Sequence, residues 1–140
     1  LARAFGADAI LIIIKGIGQQ RAAGLRILAK VLGLAVICEV HSTLEAEQIV
    51  GLKDVVLGIN NRNLETLKTN VENTFDVYNN VLSKKKHPGP IVCESGIKSE
   101  KEVEEIVKKT KINNFLIGES LLKDLDKKTS LLQRILKICP

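Results

Sequence analysis

The 140-residue sequence has no methionine and no tryptophan, and aromatic residues make up only 3% of it. Its core must therefore be aliphatic, built from the leucine, isoleucine, valine and alanine that dominate a 45% hydrophobic content. Long apolar runs are missing too. The longest, "AILIII" (Ala9 to Ile14), is strand length and well short of the ~18–20 residues that span a bilayer, so no membrane role is expected. The residues present carry no basic start, apolar stretch and small-residue cleavage site of a secretory signal. With methionine absent and Leu1 falling inside the helix-like "LARAFGADA", the expectation is a piece of a longer protein whose N-terminal part lies upstream.

Cysteine is scarce. Cys38, Cys93 and Cys139 are too far apart for a CxxC metal pattern, and no metal site is expected. Cys38 and Cys93 fall inside apolar strands, where cysteine behaves as a small hydrophobe. Free thiols in a reducing compartment follow, which suits the cytoplasm and leaves an organelle such as a plastid open. The net charge is +5, from 21 basic and 16 acidic residues. The lysines are scattered over helix faces apart from "KKKH" (Lys84 to His87), which reads as a solvated loop. No aromatics interleave with these charges, so a nucleic-acid partner is not expected.

What is present is an alternation of short β-branched runs with longer amphipathic stretches. Strands are predicted over 9–14, 35–40, 55–59, 90–95 and 114–118, with helices near 19–32, 43–50, 65–82, 99–109 and 129–138. "SEKEVEEIVKK" shows a helix start clearly: Ser99 as N-cap, Glu102 three residues on, and Val103, Ile106 and Val107 on one face. Continuous apolar strands separated by helices imply an α/β fold with a helix-covered parallel sheet. A doubly wound open sheet and part of a closed (β/α)8 barrel both fit. In either, the site lies at the carboxyl ends of the strands.

Those ends carry the polar residues. The second strand ends in Glu39, the third in Asn60, Asn61 and Arg62, the fourth in Glu94, Ser95 and Gly96, and the fifth in Gly118, Glu119 and Ser120. Each has a bland explanation when taken alone: Glu39 on an edge strand, the asparagines as turn formers and caps, Ser95-Gly96 as a tight turn. Repetition at four successive edges is what points to a site. Gly96 and Gly118 each precede a helix start within a few residues, where free amide groups suit a phosphate. Against this stands "IIIKGIGQQ", whose Gly16 and Gly18 mimic a dinucleotide-binding turn, with Glu39 placed for ribose hydroxyls. Arg21 occupies the third glycine position of that pattern and weakens it.

At "ICEVHSTLEAE", "GINNRNLETL", "VCESGI" and "FLIGESLL" the chain resembles the indole-3-glycerol phosphate synthases, (β/α)8-barrel enzymes of tryptophan biosynthesis. The resemblance runs from Leu1 to about Leu122, with the four blocks in family order, and aligns the first strand here with the family's fourth. It implies an 8-stranded TIM barrel represented by its C-terminal portion of about five βα units, in a single domain over 1–140. It also implies a carboxy-lyase reaction without cofactor: 1-(2-carboxyphenylamino)-1-deoxyribulose 5-phosphate is closed to indole-3-glycerol phosphate with loss of carbon dioxide and water. Matching residues inherit roles. Glu39 falls on the glutamate that supports proton transfer, and Asn60 and Arg62 on residues that hold the anthranilate and its carboxylate. Glu94 and Ser95 fall on the pair lining the pocket, Ser95 and Asn60 being counted with Glu39 as catalytic. Leu116 falls beside the substrate, and Gly96, Gly118 and Glu119 on the phosphate loops, acting through backbone N–H groups. The family's catalytic lysines and an acidic partner belong to its first and third strands, upstream of Leu1, so the 140 residues alone are expected to be inactive. Lys15 matches no general acid. "GIGQQRAAG" departs from the family's acidic helix start. Fusion to, or association with, other tryptophan-pathway enzymes is compatible with this reading. Two alternatives stay open: a dinucleotide-binding module, and a catalytically silent phosphate-binding barrel fragment.

Overall fold

The computed structural model describes residues 1–123 and 130–139. After one 3₁₀ turn at Arg3–Phe5, the chain runs β1 (Ala9–Ile13), α1 (Ile14–Val31), β2 (Ala35–Val40), α2 (Thr43–Ile49), β3 (Val56–Asn60) and α3 (Glu72–Val77). It continues through β4 (Ile91–Glu94), α4 (Glu100–Thr110), β5 (Asn114–Leu116), α5 (Glu119–Leu122) and α6 (Leu131–Ile138). All four strand pairs are parallel and the order in the sheet is the order in the chain, β1-β2-β3-β4-β5. A doubly wound dinucleotide fold reverses its strand order at a switch point. This sheet never does. It is the wall of a partial (β/α)8 barrel, and the dinucleotide alternative falls with it. Gly18 supplies a left-handed kink (φ 72°) inside α1 rather than a phosphate turn.

Alternation along each strand assigns its two faces. Val36, Cys38 and Val40 on β2, Leu57 and Ile59 on β3, and Cys93 on β4 are buried on the helix-covered side. They meet Ala46, Ile49, Val77, Val103 and Ile106 from the helices, all at most 3% exposed. Each full burial of a side chain such as Leu57 or Ile106 contributes about 1.5–3 kcal/mol of apolar transfer. The other face, inward in a closed barrel, carries Leu11 at 51% and Leu116 at 62% exposure. Ser42 and Ser99 cap α2 and α4 through their side chains, and Ser99 with Glu102 forms the reciprocal capping box. Among the described residues no helix is long and apolar enough to cross a membrane.

The first helix begins at Ile14 rather than near 19, so the first strand ends at Ile13; three further local expectations change. Residues 65–71 are not helical; α3 begins at Glu72 and passes into a wider turn over Tyr78–Leu82, where Ser83 N–H donates to Tyr78 O at 2.8 Å. In the loop, Asn63 Oδ1 accepts from the N–H groups of Glu65 and Thr66, Leu67 is left-handed (φ 58°), and Arg62 bridges back to Thr69. Local asparagine bonds outcompeted the helix there. The second change concerns "KKKH": the lysines are exposed, but His87 is buried, its ring nitrogens 2.9 and 3.2 Å from the carbonyls of Val50 and Val55. The third is the last helix, where Leu131 and Ile135 are buried while Leu132 and Leu136 stay about half exposed; position 129 lies outside the described residues. The three cysteines are free, Cys38 and Cys93 buried and Cys139 half-buried.

Candidate active site at the carboxyl ends of the strands

Parallel register sets the positions of the polar groups. Glu39 on β2 lies level with Gly58 on β3, and Glu94 on β4 lies level with Asn60 on β3 and Leu116 on β5. Glu94 therefore starts one step further along the sheet than Glu39. Its carboxylate leans back across Gly58 to reach Glu39, and a Cβ on Gly58 would find the Glu94 Cδ at 3.0 Å with Oε1 closer still. Both carboxylates are buried, at 5% and 4% exposure. Burial pushes the Glu94 carboxyl up to about 7, and the charge of Glu39 and a hydrogen bond to it act in the same direction. Two buried carboxylates in contact share a proton more readily than they both ionise. The pair can thus hold and exchange a proton near neutral pH.

Just past the end of β2, two residues beyond Glu39, His41 returns to the same side. Its side chain is only 8% exposed, with Nε2 3.1 Å from Glu39 Oε1 and Nδ1 3.7 Å from Glu45 Oε2. Sequence reasoning passed over His41 and Gly58. An isolated glycine within a strand marks a close approach, and the i, i+2 spacing from Glu39 marks a shared face; both signals were available.

Asn60 and Arg62 also share that side. Asn60 Oδ1 accepts from the Arg62 N–H at 2.8 Å, which turns the chain out of β3. The Arg62 guanidinium donates from Nη1 to Leu67 O at 3.0 Å and approaches Glu119 at 3.7 Å. Asn61 faces the other way and is more than a loop former. Its Nδ2 donates to Ser95 O and Cys93 Sγ, and its Oδ1 accepts from the N–H and Oγ1 of Thr74. Cys93 belongs to the same cluster, with Thr74 Oγ1 3.2 Å from its sulfur. Asn63, by contrast, is the turn former expected.

Gly96 and Gly118 are not equivalent. Gly96 is left-handed (φ 77°) and would press a Cβ against that of Thr69 at 3.0 Å, following Ser95, itself at φ 65°. Gly118 has open space and an ordinary φ. Between them lies a cleft of about 350 Å³ lined by Arg62, Lys98, Lys123 and Arg134, with Glu119 the one acid on its wall among the described residues. Glu119 pairs with Lys123 at 2.6 Å, and Lys123, with Arg62 and Lys98, holds its carboxyl below the usual range. Lys15 is paired with Glu65 at 2.8 Å.

A family model described as indole-3-glycerol phosphate synthase matches residues 1–133. The chain belongs to that family. Relatives bearing the same name include one from Polynucleobacter asymbioticus, 42% identical over 130 residues, which covers 93% of this chain and 47% of the relative. Another, from Burkholderia lata, is 41% identical over 122 residues, covering 87% and 45% respectively. A third, from Polynucleobacter necessarius, is 40% identical over 125 residues. The chain spans about half the length of the curated relatives it matches. Membership of the indole-3-glycerol phosphate synthase family accounts for the parallel sheet in sequence order, since that family is built on the (β/α)8 barrel. The polar residues lie at the carboxyl ends of the strands, the end of the sheet where barrel enzymes keep their chemistry.

Proposed function

We propose that the chain supplies the C-terminal part of an indole-3-glycerol phosphate synthase barrel. The complete barrel closes 1-(2-carboxyphenylamino)-1-deoxyribulose 5-phosphate to indole-3-glycerol phosphate, with loss of carbon dioxide and water, in tryptophan biosynthesis. The observation that carries this reading is a proton-holding carboxylate pair, Glu39 and Glu94, followed in the chain by Ser95 and Gly96, which line a cation-rich cleft. The substrate needs both halves of that arrangement: proton transfer at the reacting carbons, and neutralisation of a phosphate and a carboxylate.

In this reading Glu39 moves protons during ring closure and dehydration. Glu94, its carboxyl raised by burial and by Glu39, contacts the substrate beside Leu116. Arg62 offers a fork to the substrate carboxylate, and Asn60 donates to a developing hydroxyl or oxyanion. Ser95, held in its strained turn, presents a hydroxyl to the same space. Gly96, Gly118 and Glu119 lend backbone N–H groups to the phosphate, with Lys98 and Lys123 adding charge. Strands one to three, with the family's catalytic lysines, come from an N-terminal part, so activity belongs to the assembled barrel.

The test is complementation. The 140-residue chain is mixed or co-expressed with the N-terminal half of the Polynucleobacter asymbioticus relative, and formation of indole-3-glycerol phosphate is followed. Turnover in the mixture, none in either half, and loss on Glu39→Gln are expected. A folded assembly that fails to turn over, or one indifferent to Glu39→Gln, overturns the reading.

A further inference from the structure

We propose that His41 is a positioning residue for Glu39 that also carries protons between Glu39 and the open cleft beside it. This inference rests on the proposed chemistry of Glu39. It starts from an oddity of burial. His41 has a side chain more than nine-tenths buried, and neither ring nitrogen makes a hydrogen bond, among the described residues. A buried imidazole without partners is costly unless it serves something.

What surrounds the ring suggests the service. Nε2 lies 3.1 Å from Glu39 Oε1, within bonding distance but out of line, so a small rotation of the ring makes the bond. On the far side, Nδ1 is 3.7 Å from Glu45 Oε2. That carboxylate is itself fixed by accepting the His41 backbone N–H at 2.8 Å. The charged groups facing the ring are Glu39 beside it, Glu45 from α2, and, across a cleft of about 490 Å³, Lys15 at the start of α1 with Arg62 and Lys68 from the loop after β3. The imidazole is thus the partition between a buried carboxylate pair and an open, charged space.

A proton can pass without leaving charge on the ring. The Glu39 carboxyl gives its proton to Nε2 while Nδ1 releases its own to Glu45 or to cleft water. Glu39 is left as carboxylate and the ring as the other tautomer. Passage in the reverse direction restores both. An acid that must work in more than one step of a turnover needs such a route, because Glu39 has almost no solvent contact of its own.

Two measurements test this, one independent of activity. In the chain labelled with ¹⁵N-histidine, His87 serves as the internal reference. Glu39→Gln should displace the ring-nitrogen resonances of His41 and their pH response, leaving those of His87 in place. Superimposable His41 titrations in parent and variant overturn the proposal, whether or not the chain is a synthase. In the complemented barrel, His41→Asn keeps a donor beside Glu39 but cannot conduct a proton. It should lower kcat by about tenfold or more and alter the pH profile while KM holds. Full kcat with an unchanged profile in His41→Asn would equally sink it. An inactive assembly with the parent sequence counts against the synthase reading, and the nitrogen measurement then decides for His41 alone.

Discussion

Glu94 occupies the space that any side chain on Gly58 would need. The carboxylate of one strand lies over the backbone of its neighbour and so meets Glu39, two strands away from its own. A site made this way depends on one missing methyl group. It has consequences that can be measured without substrate.

The first concerns pH. Glu94 titrates near 7 in the folded chain, against about 4.3 for an unperturbed glutamate. The folded state therefore holds the extra proton between those values, so its stabilising effect is complete below the unfolded value and lost as pH rises through 7. Stability should fall between pH 5 and 8, by an amount of order a few kcal/mol. Glu65 and Glu119 have lowered values, and their contribution disappears only as pH falls below the ordinary carboxylate range, outside this window. Urea unfolding at pH 5.5 and 8 should show the loss, and Glu94→Gln should abolish most of it.

Gly58→Ala is the second. The added Cβ meets the far end of a flexible side chain, with Ile37 Cγ2 at an ordinary 3.5 Å, so the chain should still fold. Overpacking of this kind costs about 1–3 kcal/mol. The diagnostic effect is the separation of Glu94 from Glu39, seen as a reduced fall in stability between pH 5.5 and 8. An unaltered pH dependence would mean that Glu94 reaches Glu39 by another path.

Asn61 and Asn63 should part company on substitution. Asn61→Ala strands Thr74 and the Ser95 carbonyl inside the protein, at about 2–3 kcal/mol. Asn63→Ala removes two exposed turn bonds and should cost only about 0.5 kcal/mol. Equal effects in denaturant titrations would contradict the placement of Asn61 as a buried hub.

Glu119 offers the fourth. Its carboxylate faces the cleft that Arg62, Lys98 and Lys123 also line. If the residue serves an anion only through its N–H, Glu119→Gln removes a repulsive charge and should strengthen the thermal stabilisation that inorganic phosphate gives, while Lys98→Ala should weaken it. Phosphate stabilisation lowered by Glu119→Gln would assign the carboxylate an organising role instead.

Much of this was legible in the sequence, for reasons that can be named. β-branched runs at regular spacing gave the strands because a sheet covered by helices buries continuous apolar stretches, and Ser99 with Glu102 announced α4. The polar residues expected at four strand ends do gather at one edge of the sheet, which alternation within the strands made readable. Two kinds of feature were not legible. "NLETLKTN" has helix-like spacing, yet Asn63 and the left-handed Leu67 divert it into a loop, a contest between local bonds that composition does not settle. The meeting of Glu39 with Glu94 depends on register and on a lean of one step along the sheet, which no single strand encodes.

Cys93 and Glu94 are adjacent in the chain but face opposite sides of the sheet. The sulfur rests among Thr74 and Asn61 beneath the helices, while the carboxylate stands on the opposite face against Glu39. A substitution on the inward letter of such a strand leaves the outward letter's packing untouched. Selection can therefore exchange substrates or reactions at positions 39, 58, 60 and 94 while the scaffold that holds them is inherited unchanged.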